Sequence, residues 1–208
     1  MVKNIMIIKK GQWPIAIALT LMLIIFGTIF IQRANYEFII YLAVILVLFL
    51  LILFTNSKVN YPNYTLWGLL LWALLHLSGG GLSIKGQRLY ELILIPISET
   101  YQIFRYDQFV HIIGFGVATL LVAHFLRQII NPPVKRKILY TIILVMGGLG
   151  IGALNEIVEF GATVIAPETG VGGYINTSMD LVSDLVGALI ALIIIKIKDK
   201  SLFNSNKR

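Results

Sequence analysis

Apolar residues in this chain are gathered into long unbroken runs instead of recurring at a helical or strand period. The first uncharged run is Trp13 to Ile31, with Pro14 in the first turn, where its missing N–H costs little. The second is Phe38 to Phe54, and the third, Tyr64 to Leu82, closes on Gly79-Gly80-Gly81. A fourth covers about 108–126. The fifth, uncharged from Ile138 to Leu154, continues as helix to about position 160, and the last spans about 180–196 with Asp184 inside it. At 1.5 Å per residue, about 20 residues cross the hydrocarbon of a bilayer. The pattern therefore predicts an all-α polytopic membrane protein, one domain over residues 1–208 with six transmembrane helices. The first run is too long for the apolar region of a signal peptide, and no small-residue cleavage site follows it, so it is read as a retained span.

Composition sharpens this picture. The 208 residues are 58% hydrophobic and 13% charged, with a mean hydropathy of +0.87, whereas about a quarter of an ordinary globular chain is charged. Once the spans are removed, no segment long enough for a soluble domain is left. Cysteine is absent, which excludes disulfides and thiol chemistry.

The net charge of +7 is explained by topology, so no nucleic-acid partner is expected. With the N-terminus inside, one side of the membrane holds Lys3, Lys9, Lys10, Lys58, Arg127, Lys135, Arg136, Lys137, Lys196, Lys198, Lys200, Lys207 and Arg208. The other holds only Arg33, Lys85, Arg88 and Arg105. Thirteen against four is a strong positive-inside bias. It predicts an N-in, C-in protein of the cytoplasmic membrane with both termini cytoplasmic. The acids run the other way. Glu37, Glu91, Glu99, Asp107, Glu156, Glu159, Glu168, Asp180 and Asp184 fall in the outer half, with only Asp199 inside. Acidic residues hardly influence insertion, so the crowding points to a bound cation, whether a metal, a proton or an amine.

Polar side chains interrupt four of the spans. His76 stands just before the glycines; Asp107 and His111 open the fourth span; Asn155, Glu156 and Glu159 lie in the outer part of the fifth; Asn176, Thr177, Asp180 and Asp184 open the sixth. Asp107 with His111, Asn155 with Glu159, and Asp180 with Asp184 are each four apart, so each pair shares a helix face. Carboxylates with imidazoles can ligate a divalent metal, for which His76, Asp107, His111, Glu156, Glu159 and Asp180 are the candidate ligands. The same groups, with Asp184, can instead act as general acids, bases or proton relays. No nucleophile motif accompanies them. A plainer reading competes for Asp107, Asn176 and Asp180, which are good helix caps at a membrane interface. His124, about 20 Å further along its helix than His111, reads as structural. Gly114, Gly116, Gly148 and Gly152 read as packing positions. The connector from Ser83 to Phe104, with its apolar Leu92-Ile93-Leu94-Ile95, is expected to lie on the membrane or to fold back over a cavity.

The set Arg105-Tyr106-Asp107-x-x-x-His111, Asn155-Glu156-x-x-Glu159 and Asn176-Thr177-x-x-Asp180 leading to Gly187-Ala188 resembles the YjdF-like family of prokaryotic inner-membrane proteins. The resemblance covers about residues 60–190, and more distantly the motifs are similar to those of VanZ-like proteins. It departs at Asn155, where the family commonly has Tyr, and at Asn176, where Asp is frequent, so a carboxylate at position 176 is not required. The resemblance implies a shared outer-face site and brings no activity with it. The expectation is therefore an outward-facing carboxylate/His site, metal- or acid/base-dependent, for a membrane lipid or a lipid-linked small molecule. The alternatives are a cation- or proton-coupled transporter and a non-catalytic accessory protein.

Overall fold

Every apolar run folds as a helix. The computed structural model describes residues 8–98, 100–130 and 134–199; Lys3, Glu99, Lys200, Lys207 and Arg208, which enter the charge argument, lie outside the described residues. Helix α1 is Trp13–Gln32, α2 Tyr36–Val59, α3 Asn63–Gly81, α4 Tyr106–Ile129, α5 Lys137–Ile165 and α6 Tyr174–Lys198. Helix α2 begins where the Asn35 side chain accepts from the Phe38 N–H, a cap that satisfies one of the first free donors. Five of these helices are long and apolar enough to cross a membrane. The exception is α3, whose 19 residues include Asn63, His76, Ser78 and four glycines. Within its most apolar stretch α2 buries only 17% of its residues, and α6 only 44%. Helices with that much apolar surface left uncovered need an apolar solvent. The chain is a multi-pass membrane protein.

Helices α2 and α6 reach further than the spans expected at 38–54 and 180–196, because α2 includes its flanking polar residues and α6 starts directly after Gly172-Gly173. The connector after α3 holds short strands and a single 3-10 turn at Leu89–Glu91. It forms two antiparallel hairpins, β1 (Ser83–Ile84) with β2 (Gln87–Arg88) and β3 (Ile93–Ser98) with β4 (Ile103–Arg105). Lys85 and Gly86 turn the first with φ of 53° and 83°, and two positive φ values are what a two-residue type I′ turn requires.

The residues gather into two compact units, 1–91 with 160–170 and 92–159 with 171–208. In the first, each glycine at the end of α3 makes room for an aromatic ring. A Cβ on Gly79 would meet Tyr90, one on Gly80 would meet Phe38, and one on Gly81 would meet Phe26. Phe26, Phe30, Phe38 and Tyr41 continue as a chain of ring contacts at 5.2–5.8 Å. Buried Glu37 accepts the Gly170 N–H at 2.7 Å and faces Arg88 at 3.5 Å.

In the second unit α4 and α6 run parallel and α5 runs against them. Arg105 reaches Asn176 where α4 and α6 begin, and Arg127 meets Asp199 at 2.5 Å where they end. From α5, Gly148 faces Thr119 and Ala188, and Gly152 faces Asp184. Helices α4 and α6 touch backbone to backbone: a Cβ on Gly187 would lie 2.4 Å from the Ile112 carbonyl oxygen and 2.9 Å from Gly116 N. Such close approach is the use of small residues in membrane bundles. The half of this unit nearer Arg127 is filled by Ala123, Val134, Tyr140, Leu144, Val145, Ala188, Leu192 and Ile195. The polar residues occupy the other half.

Candidate carboxylate–imidazole centre

His111 lies one and a half turns into α4, buried, and both of its ring nitrogens face carboxylates. Nδ1 is 2.9 Å from Asp184 Oδ1, and Asp184, ten residues into α6, is fully buried. Opposite a carboxylate acceptor, Nδ1 carries the hydrogen, and a neutral ring then presents its lone pair at Nε2. Around Nε2 stand Asp107 Oδ1 at 3.8 Å, Glu156 Oε1 at 4.0 Å and Glu159 Oε1 at 4.0 Å. Asp180, a turn before Asp184, is 1% exposed and belongs to the same gathering. All six of these residues come from one unit, two from each of three helices.

The separations decide what the centre can do. At 3.8–4.0 Å, Nε2 and the carboxylate oxygens are too far apart to hydrogen-bond directly. Ligands held at about 2.0–2.2 Å from a shared ion lie roughly 3–4 Å from one another, so the distances suit one cation. Two sets of ligand atoms converge to within 4.8 Å, Asp107–His111–Asp180 and His111–Glu156–Glu159. The two sets overlap at His111 and lie as two three-residue groups around one imidazole. Nitrogen with several oxygens suits Zn²⁺, Fe²⁺ or Mn²⁺ better than the all-oxygen preference of Mg²⁺ or Ca²⁺.

Unmet hydrogen-bonding capacity points the same way. Glu156 Oε1, Asp180 Oδ1 and Asp184 Oδ2 are buried without a hydrogen-bond partner. Each such oxygen costs about 1–3 kcal/mol, and more when charged, unless something coordinates or protonates it. Asp184 Oδ2 rests against Gly152. Glu156 Oε1 faces His111 Nε2.

A polar frame surrounds the carboxylates. Asn155 Nδ2 donates to Glu159 Oε1 at 2.8 Å. Asn176 takes the Arg105 guanidinium on its carbonyl oxygen at 3.0 Å and donates from Nδ2 to Asp107 at 3.5 Å and to Asp180. Gln108 Oε1 accepts from Arg105 N at 3.1 Å and fixes the start of α4. Asn176 and Asp180 do not cap α6, which begins at Tyr174 with Gly173 in the cap position. Asp107 does sit in the first turn of α4, with its carboxylate turned toward His111.

Of the candidate residues, Asp107, His111, Glu156, Glu159, Asp180 and Asp184 are brought together. His76 belongs to the first unit. Its ring is packed by Phe38, Tyr41 and Tyr90 and stacked on Trp72 at 5.5 Å, and Nδ1 bonds the Tyr90 hydroxyl. It is in neither converging set among the described residues. His124 pairs with Gln128 at 3.0 Å, one turn further along α4. Arg105 is the component that sequence reasoning left in a motif without a role. Its position two residues before Asp107 was the available signal.

No curated protein and no solved structure matches the chain. The apolar helices, the converging polar motifs and the match of the DUF2238 family model, described as a predicted membrane protein, to residues 14–201 agree, and the chain belongs to that family.

Proposed function

We propose that this protein holds one divalent cation at the His111 centre and uses it to bind or transform a membrane lipid or lipid-linked molecule. A single observation carries the reading: a buried imidazole nitrogen faces carboxylates on two helices, α4 and α5, at the spacing of co-ligands, with unpartnered oxygens among the clustered acids. The donor set favours Zn²⁺, Fe²⁺ or Mn²⁺, with Asp107, His111, Glu156, Glu159 and Asp180 as ligands. Asp184 orients the imidazole from behind. A cation there would polarise an oxygen of the bound molecule, and a carboxylate released from it would serve as general base.

The topology in this reading has six spans, α3 being the third, and both termini in the cytoplasm. Arg127, Lys135, Arg136, Lys137, Lys196 and Lys198 collect at the end of the second unit remote from the centre, which by the positive-inside rule is the cytoplasmic end. The centre then opens on the outer side of the cytoplasmic membrane, as the resemblance to YjdF-like proteins implies. A pathway for ions across the bilayer fits less well, because the cytoplasmic half of α4, α5 and α6 is closed by apolar packing.

Metal analysis of protein purified in detergent tests the reading. The expected result is close to one transition-metal ion per chain, lost in an E156Q/D180N double variant that still folds. Metal-free wild-type protein that takes up none on titration would remove the basis of the proposal.

A further inference from the structure

We infer that Arg105 is the recognition group for a phosphate ester on the molecule taken by the His111 centre; this rests on the cation reading above and names the ligand class. The guanidinium stands at the start of α4, near Asp107, yet among the described residues no carboxylate pairs with it within 4.0 Å. Asn176 lies between. Its carbonyl oxygen holds Nη1 of Arg105, and its amide hydrogens go to Asp107 and Asp180. Turned the other way, the amide would set its own hydrogens against the guanidinium, so this orientation is imposed by its neighbours.

The arrangement holds the guanidinium in place without neutralising it. Nε of Arg105 is buried and has no acceptor. Nε–H with an adjacent Nη–H is the edge of the guanidinium that grips two oxygens of a carboxylate or phosphate side by side. Asn176 engages one oxygen of Asp107 and one of Asp180, and no protein acceptor meets the Nε–H, so a ligand can supply it. Arg105 as a whole is only partly buried.

A phosphate suits the pair of anchors better than a carboxylate. Its tetrahedral oxygens can give two to the fork and still leave one for the cation, whereas a carboxylate that fills the fork with both oxygens has no third to offer. A hydrophobic tail also has a place to lie. Leu154 and Ile157, flanking Asn155-Glu156 on α5, are 61% and 62% exposed. The phosphate can therefore belong to a lipid headgroup or be free in solution.

Full-length protein in a phosphate-free detergent, stripped of metal and reloaded with Mn²⁺, allows the test. The probes are inorganic phosphate and short-chain phosphatidic acid, each followed by paramagnetic enhancement of its ³¹P relaxation, with bound Mn²⁺ quantified separately. Wild type is expected to relax at least one probe, and R105Q to retain Mn²⁺ while binding that probe about tenfold or more weakly. R105K, which keeps the charge but not the fork, is expected to be weakened too, and it substitutes for R105Q if that variant does not fold. Binding of phosphatidic acid alone assigns the phosphate to a lipid, and binding of both probes assigns recognition to the phosphate group itself; either supports the inference. Equal binding by wild type and the Arg105 variants, or no relaxation by Mn²⁺-loaded wild type, overturns it and leaves the cation reading standing. Wild type that takes up no Mn²⁺ or other divalent ion overturns both.

Discussion

His111 and Asp184 form a buried pair, Nδ1 to Oδ1 at 2.9 Å, that joins the N-terminal halves of α4 and α6. The carboxylate fixes which ring nitrogen is protonated and turns the other toward Asp107, Glu156 and Glu159. Replacing Asp184 by Asn keeps the shape and removes the charge that holds this tautomer. D184N should fold, and its affinity for a transition-metal ion should fall about 10–100-fold, as found for partners that orient metal-bound histidines. Competition with a fluorescent chelator measures this. An unchanged affinity would reduce Asp184 to a packing residue.

Gly152 sets the position of that carboxylate from α5. A Cβ there would stand 2.1 Å from Asp184 Oδ2 and 2.6 Å from Cγ, and Asp184 is too enclosed to move aside. G152A should therefore weaken cation binding without touching a ligand, and destabilise by about 1–3 kcal/mol through overpacking. Gly150, two residues earlier and exposed, has nothing within 4 Å of its Cβ position. G150A should leave cation binding intact and match or slightly exceed wild type in thermal unfolding, because Ala favours helix over Gly. If both variants bind and melt alike, the Gly152 contact has no weight.

The two buried histidines make a sharper contrast. His76 is enclosed by Phe38, Tyr41, Trp72 and Tyr90, so a ring of similar size can occupy its place. H76F should keep the cation content of wild type and lose about 1–2 kcal/mol with the Tyr90 hydrogen bond. H111F should lose the cation. Metal analysis of both proteins decides the matter, and loss of metal in folded H76F would bring His76 back into the ligand set.

These residues also show how far the sequence could be read. Spacing placed Asp107 with His111, Asn155 with Glu159 and Asp180 with Asp184 on common helix faces, and each pair does project together. Spacing cannot say which face meets which. That is decided by register between helices, and here small residues set it: Gly116 against Gly187, Gly148 against Thr119, Gly152 against Asp184. The contact of His111 with Asp184, 73 positions away, follows from those approaches and has no local signature. The uncharged runs found the helices because insertion into lipid depends on total apolarity. They missed the start of α6 because Tyr174 to Met179 is polar enough to resemble a cap, and they missed the hairpins because Leu92-Ile93-Leu94-Ile95 suits a strand and a membrane surface equally.

Gly187 carries the last expectation. It is where α4 and α6 come closest, with the Ile112 carbonyl oxygen 2.4 Å and Gly116 N 2.9 Å from a Cβ built on it. Both obstacles are backbone, so neither can rotate away, and G187A must separate the helices. Those helices carry Asp107 and His111 on one side, Asp180 and Asp184 on the other, so separation lengthens the His111–Asp184 bond and spreads the ligands together. G187A should lower stability by about 1–3 kcal/mol or more and weaken cation binding in the same protein. G116A should do less, since its Cβ would meet the Gly187 carbonyl oxygen at 3.2 Å, a distance that a small adjustment relieves. Thermal unfolding with and without added metal separates the effects. A G187A protein that melts like wild type would mean the helices do not approach at this point, and that the geometry drawn for the centre is wrong.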